Sequence, residues 1–170
     1  LIFIPSFMAR SEKFFDITGT LAYLSSLAVA TFHIGFSSDF ALTDRSVLLI
    51  VFVGVWSLRL GVFLYSRIIK AGEDKRFREI KVSFSSFLVT WTLSGLWVFL
   101  TSANALTAIT NNQPLSGNLF SYFGIVLWVW GFLFEVIADL QKKRFRDDPS
   151  NAGEFISHGL WNYSRHPNYF

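Results

Sequence analysis

Apolar residues in this chain come in long unbroken blocks, without the alternation or three-to-four spacing of a half-buried strand or helix. Four blocks run from Ile17 to Phe36, Ser46 to Lys70, Val82 to Thr101 and Leu119 to Leu140. Each is close to the ~20 residues that cross a hydrocarbon core. Each therefore predicts a transmembrane helix. The opening LIFIPSFM is also apolar and reads as the tail of an earlier membrane helix. Both ends are expected to be cut from a longer protein. No charged stretch precedes that opening and no small-residue cleavage site follows it, so it does not read as a signal peptide. The fold class is all-α: an integral membrane bundle with four complete transmembrane helices, a partial one at the N-terminus and an interfacial C-terminal segment. On length, residues 1–170 form one membrane domain.

The polar stretches between these blocks set the orientation. A hinge at Ala9–Asp16 carries Arg10, Glu12, Lys13 and Asp16, and a charged segment, AGEDKRFREIK, fills Ala71–Lys81. A basic patch of Lys142, Lys143, Arg144 and Arg146 follows the fourth block. The turn Ser37–Arg45 and the loop Ser102–Asn118 hold one cation between them. Cations gather on the cytoplasmic side of membranes or its organellar equivalent. Four crossings then place the hinge and both basic segments on that side. Gly54, Gly61, Gly95 and Gly131 inside the blocks allow helices to approach closely.

Composition agrees. The chain is 52% hydrophobic with twenty Phe and six Trp, which suits lipid-facing and interfacial surfaces. Mean hydropathy is +0.42. The net charge is only +3, and no aromatic-interleaved basic groove accompanies it, so nucleic acid is not a predicted partner. The expected partners are the bilayer, a hydrophobic substrate or bound lipid, and other subunits of a membrane complex. There is no Cys, which removes disulfides, thiolate chemistry and Cys-ligated metals.

Candidate chemistry concentrates in residues 135–170, read as a cofactor-binding segment. Glu135 and Asp139 are one helical turn apart, Lys143 continues that face and Arg146 lies near it. Carboxylates at this depth are costly unless they meet a polar cavity or a partner. Such a stripe can offer carboxylates to ribose or amide groups and cations to phosphates. It can equally be the interfacial end of a helix whose charges snorkel to headgroups. His158, Asn162, Tyr163, Ser164, Arg165, His166, Asn168 and Tyr169 form the densest polar-aromatic cluster. Its two histidines, eight apart with Pro167 following, fit no zinc pattern. Ser164 and His166 lack the context of a nucleophile, and no Gly-rich dinucleotide loop follows a strand. What remains is a set of donors and stacking rings able to hold a nucleotide-type cofactor. Arg59, deep in the second block, is a candidate for lining that site or pairing with Glu135 or Asp139.

ADLQKKRFR, followed by N-x-G-x-F-I-x-x-G-L-W-x-Y-S-R-H-P-N-Y-F, resembles the C-terminal family of 3-oxo-5-alpha-steroid 4-dehydrogenases (steroid 5-alpha-reductases). RLGVFLYSRIIKAGEDKRF, from Arg59 to Phe77, is similar to a second signature of its broad multi-pass membrane branch. The resemblance implies a multi-helix reductase that uses NADPH to reduce a carbon–carbon double bond conjugated to a ketone, on a lipidic, sterol-like substrate. It implies a cofactor pocket on the cytoplasmic side. There Glu135 stands where the reductases carry an amide, Asp139 matches an acidic cofactor contact, Arg146 lies near a phosphate-binding arginine, and Asn168 matches the Asn of an N-x-x-G-E ending. Lys143, Tyr163, His166 and Tyr169 complete the predicted cofactor set. The chain ends before that Gly-Glu, and Trp56 stands where a catalytic Tyr is found, so no catalytic residue is assigned. Two alternatives stay open. One is a catalytically silent subunit of a membrane complex that keeps the fold. The other is an S-adenosylmethionine-dependent methyltransferase, because the isoprenylcysteine carboxyl methyltransferases carry a similar R-H-P-x-Y segment.

Overall fold

The structure, a computed structural model, describes residues 2–35 and 41–169. Its described residues are helical or irregular, with no strand among them. The elements are α1 (Phe3–Met8), α2 (Phe15–Gly35), α3 (Asp44–Ala71), α4 (Phe77–Ile80), α5 (Phe84–Asn111) and α6 (Leu119–Asp147), followed by three single 3-10 turns. α2, α3, α5 and α6 are long and apolar enough to span a bilayer, and the protein is an integral membrane protein. Contacts group the chain into two compact units, Leu1–Leu115 and Ser116–Phe170.

Two helices outrun their sequence expectation. α5 continues ten residues past Thr101, so residues 102–111 of the expected loop are helical. The hydroxyls there bond back along the helix, Ser102 Oγ donating to the Val98 carbonyl at 2.6 Å and Thr110 Oγ1 to Leu106 at 3.0 Å. Backbonding of this kind lets Ser and Thr sit inside a helix. α6 passes Leu140 and carries the basic patch in its last turns, where cations complement the helix dipole. The N-terminal apolar stretch is helical over six residues. Of the expected turn at 37–45, residues 37–40 lie outside the described residues.

The first unit packs α2, α3 and α5 around Leu27, Ala30, Ile34 and Ile109, with Leu49, Val53 and Leu106 against them. Two devices close its ends. At one, Asn112, left-handed at φ 46°, caps α5. Its Oδ1 accepts from the Thr43 backbone at 3.0 Å and from Ser46 Oγ at 2.9 Å, tying the start of α3 to the end of α5. At the other, the hinge after α1 meets the loop between α3 and α5. Glu12 is buried and accepts from Lys81 Nζ and the Asp74 backbone N–H, each at 2.8 Å. Burial pushes the Glu12 carboxyl up, but these hydrogen bonds outweigh it and leave the group below its ordinary value. Beside this clamp, Phe3 and Phe7 pack on Phe84 and Phe87, and Phe15 on Phe77 and Trp91. The hinge and the 71–81 loop therefore share one end of this unit, as the cation distribution requires.

Between the helices, backbones come close at Gly61. A Cβ there would lie 2.0 Å from Thr20 Oγ1. Thr20 uses that hydroxyl to bond the Ser57 carbonyl across the α2–α3 crossing at 3.4 Å.

Candidate functional site

The second unit is α6 and the segment that returns onto it. Asp148 caps the turn that follows the helix, accepting from Ser150 N at 2.9 Å and from Ser150 Oγ at 2.7 Å. Those two bonds hold its carboxyl below the usual range. Asn151 Nδ2 donates to the Phe145 carbonyl at 3.0 Å, fastening the turn to the last turns of α6. The His158 ring packs on Phe145 at 5.6 Å. Gly159, at φ +61°, takes a left-handed conformation that directs the Leu160 N–H to Gln141 Oε1 at 2.9 Å. Trp161 is buried, and its indole N–H donates to the Ala138 carbonyl at 2.9 Å. Lys142 Nζ sits 4.2 Å from the indole centroid, a cation–π contact. Pro167 is fully buried, and Asn168 Nδ2 donates to Asp139 Oδ1 at 3.2 Å.

This clasp brings together part of the predicted cofactor set. Asp139 is 5% exposed, so its carboxylate is enclosed beneath Asn168. Glu135 is half-buried one turn earlier, and Lys143 and Arg146 are exposed on the continuation of the same face. His166 and Tyr169 pack edge to face at 5.8 Å, flanking Asn168. Tyr163 does not join them. It lines a shallow groove of about 580 Å³ with Ile137 and Gln141. Those two residues are each two positions from Asp139, roughly 200° around the helix, and so on its opposite face. The returning segment thus wraps α6, with Trp161 at the crossing point.

One atom of the enclosed pair is unfinished. Asn168 Oδ1 is buried and has no hydrogen-bond partner among the described residues. Leaving a buried acceptor unmade costs about 1–3 kcal/mol, so an O–H or N–H from a ligand would be favoured there. The carboxylate, the orphaned amide oxygen and the two outlying cations suit a molecule with hydroxyls at one end and phosphate at the other. A nucleotide cofactor has that pattern.

In the first unit, Arg59 is half-buried on α3 with its guanidinium 5.2 Å from the Phe63 ring centroid. Trp56 stands edge-on to Tyr23 at 5.2 Å, and the Tyr23 hydroxyl shares a 2.6 Å hydrogen bond with Thr101 Oγ1. The same unit has an apolar cavity of about 650 Å³ lined by Leu24, Leu27, Thr31, Phe32, Ile50 and Gly54.

Trp161, Gln141 and Glu12 were not singled out by the sequence. Trp161 and Gln141 hold the segment on α6, yet a Trp and a Gln in a membrane-edge stretch carry no spacing signal. Glu12 sat in a short hinge of mixed charge, where nothing distinguishes a buried acid from a solvated one.

Comparison with known proteins places this geometry in a family. Residues 2–170 match the family described as "Protein of unknown function (DUF1295)". The chain is also 27% identical over 78 residues to "Probable O-methyltransferase ustE" of Ustilaginoidea virens, an alignment covering 46% of this chain and 27% of that protein. The chain thus spans about a quarter of the length of this curated relative. No solved structure matches. With a family match over nearly all of its length, the chain belongs to the DUF1295 family of proteins of unknown function.

Proposed function

We propose that the protein is a membrane-embedded NADPH-dependent reductase of a lipidic, sterol-like enone. The observation that carries this reading is the enclosed Asp139–Asn168 pair with Lys143 and Arg146 farther along the same helix face. Asp139 and Asn168 Oδ1 would accept from ribose hydroxyls or the carboxamide, with Glu135 one turn away. Lys143 and Arg146 would hold the oxygens of the 2′-phosphate, the group NADPH has and NADH lacks, through charge-assisted bonds. His166 and Tyr169 flank Asn168 and would cover the cofactor from the segment side. The cofactor itself would supply hydride to the conjugated double bond. Trp161 and Gln141 act as positioning residues by fixing the segment on α6.

A second reading, methyl transfer with S-adenosylmethionine as donor, is favoured by the fungal relative, a probable O-methyltransferase. S-adenosylmethionine has no phosphate, so the outlying cations would be idle in that case.

Titration of full-length protein in detergent with NADPH, NADH and S-adenosylmethionine separates the two readings. Arg146→Ala should weaken NADPH about tenfold or more and spare NADH, since a charge-assisted contact contributes about 1.5–3 kcal/mol. Asp139→Ala should weaken both nicotinamide cofactors. Saturable binding of S-adenosylmethionine without NADPH would replace the reductase by the methyltransferase. Binding of neither would leave a structural subunit.

A further inference from the structure

The groove on the Ile137–Gln141 face belongs to neither the carboxylate stripe nor the cation row. Its depth in the membrane follows from helix arithmetic. From Leu119 to Leu140, α6 rises about 33 Å at 1.5 Å per residue, close to the ~30 Å hydrocarbon thickness. Ile137 and Gln141 therefore lie at the boundary between acyl chains and headgroups. The returning segment comes back to that level, since it bonds α6 at Ala138, Asp139 and Gln141.

The lining is mixed. Ile137 and Leu160 provide apolar surface, and Gln141, Ser157, His158, Asn162 and Tyr163 provide polar groups. Among the described residues, no hydrogen bond uses the side chains of Ser157, Asn162 or Tyr163. All three can donate. The complementary ligand has carbonyl or phosphate oxygens at its head and a chain that leaves toward the bilayer. Tyr163, 86% exposed at this level, occupies the position of an interfacial aromatic.

We propose that this groove binds a phospholipid of the surrounding leaflet through its glycerol-ester and phosphate region. Ser157, Asn162 and Tyr163 donate to the ester and phosphate oxygens. Ile137 and Leu160 receive the first methylenes of one acyl chain. The site lies on the face of α6 opposite Asp139, so it does not depend on the cofactor reading.

The test uses full-length protein purified from phosphatidylcholine nanodiscs into mild detergent, with retained lipid counted by native mass spectrometry. Wild type and Ile137→Leu should retain a phospholipid that Ile137→Trp, which fills the groove, has lost. A second readout uses the absence of native Cys. Ser157→Cys carrying an environment-sensitive fluorophore, in nanodiscs, should emit as in an apolar medium and be quenched by lipids spin-labelled near the glycerol. Equal lipid counts in wild type and Ile137→Trp would overturn the proposal. So would water-like emission at position 157, or apolar emission that spin-labelled lipids do not quench. Displacement of the retained lipid by soluble glycerophosphate would assign the groove to free phosphate esters and also overturn it.

Discussion

Replacing Gly61 with alanine should loosen the α2–α3 crossing, although alanine is the better helix former. The added Cβ would stand 2.0 Å from Thr20 Oγ1, 2.8 Å from Thr20 Cβ and 2.9 Å from Thr20 Cγ2. These atoms cannot swing aside as the tip of a long side chain would. Thr is branched at Cβ, and its χ1 choices within a helix are few. The helices must separate, or Thr20 must abandon its bond to the Ser57 carbonyl. Overpacking costs about 1–3 kcal/mol. A lost hydrogen bond adds about 0.5–1.5 kcal/mol, with the lower figure suiting a 3.4 Å contact. Alanine recovers about 1 kcal/mol of helix propensity. The net expectation is a loss of about 1–2 kcal/mol for Gly61→Ala, from those ranges. Gly61→Leu should lose more. Thr20→Gly removes all three of these atoms, so the double variant should regain part of the loss, with a coupling of about 0.5–3 kcal/mol. Unfolding in mixed micelles by increasing SDS fraction, followed by Trp fluorescence, measures each variant. Gly61→Ala as stable as wild type, or a strictly additive double variant, would refute the close-approach argument.

Other expectations follow from the same geometry. Single cysteines in this Cys-free chain should label from one side of sealed vesicles at Lys75 and Ala152 and from the other at Gly117; equal labelling of Lys75 and Gly117 from one side would refute the topology. Gly159→Ala should cost about 1–2 kcal/mol from the left-handed backbone, add a clash of its Cβ with the Gln141 amide at 2.6 Å, and hasten proteolysis of the 149–169 segment, while Gly153→Ala, with open space around its Cβ, should cost only the backbone strain. The clamp at Glu12 should weaken with acid. Its folded-state pKa lies below the ordinary 4.5, so its contribution is full above that value and is lost as pH falls through the folded one. Protection of the 71–81 loop against hydrogen exchange, corrected for the intrinsic rate at each pH, should thus fall in acid, and Glu12→Gln should reduce that fall, leaving the part due to Glu73 and Asp74, whose carboxyls Arg78 and Arg76 also hold below the ordinary value.

Helix existence was legible in the sequence because the bilayer asks for one thing, an apolar run of sufficient length. The predicted start at Leu119 is the observed one, set by Asn118, whose side chain accepts from the Ser121 N–H. Helix ends were less legible. Ser102 and Thr110 look like loop residues until their hydroxyls are seen bonding to the preceding turn. Lys142 to Arg146 look like a boundary, although a helix C-terminus favours them. In the candidate site, helical spacing alone put Asp139 on one face with Glu135 and Lys143. It could not reveal that Tyr163 would cross to the opposite face, because that depends on the Gly159 turn and the Trp161 anchor.

The bonds that hold the returning segment on α6 span short stretches of chain. Leu160 to Gln141, Trp161 to Ala138 and Asn168 to Asp139 are separated by 19, 23 and 29 positions. The tie between α3 and α5 joins Thr43 to Asn112, 69 positions apart, and Lys81 to Glu12 is another separation of 69. Local closures form early, and distant ones wait for the intervening chain. During synthesis the first unit must hold unfinished helices in the membrane until Asn112 has emerged. The clasp on α6 can shut as soon as its own short segment leaves the ribosome. A lesion in the clasp would then strike late and locally, whereas one at Asn112 would loosen the tie between α3 and α5 after three spans have been made.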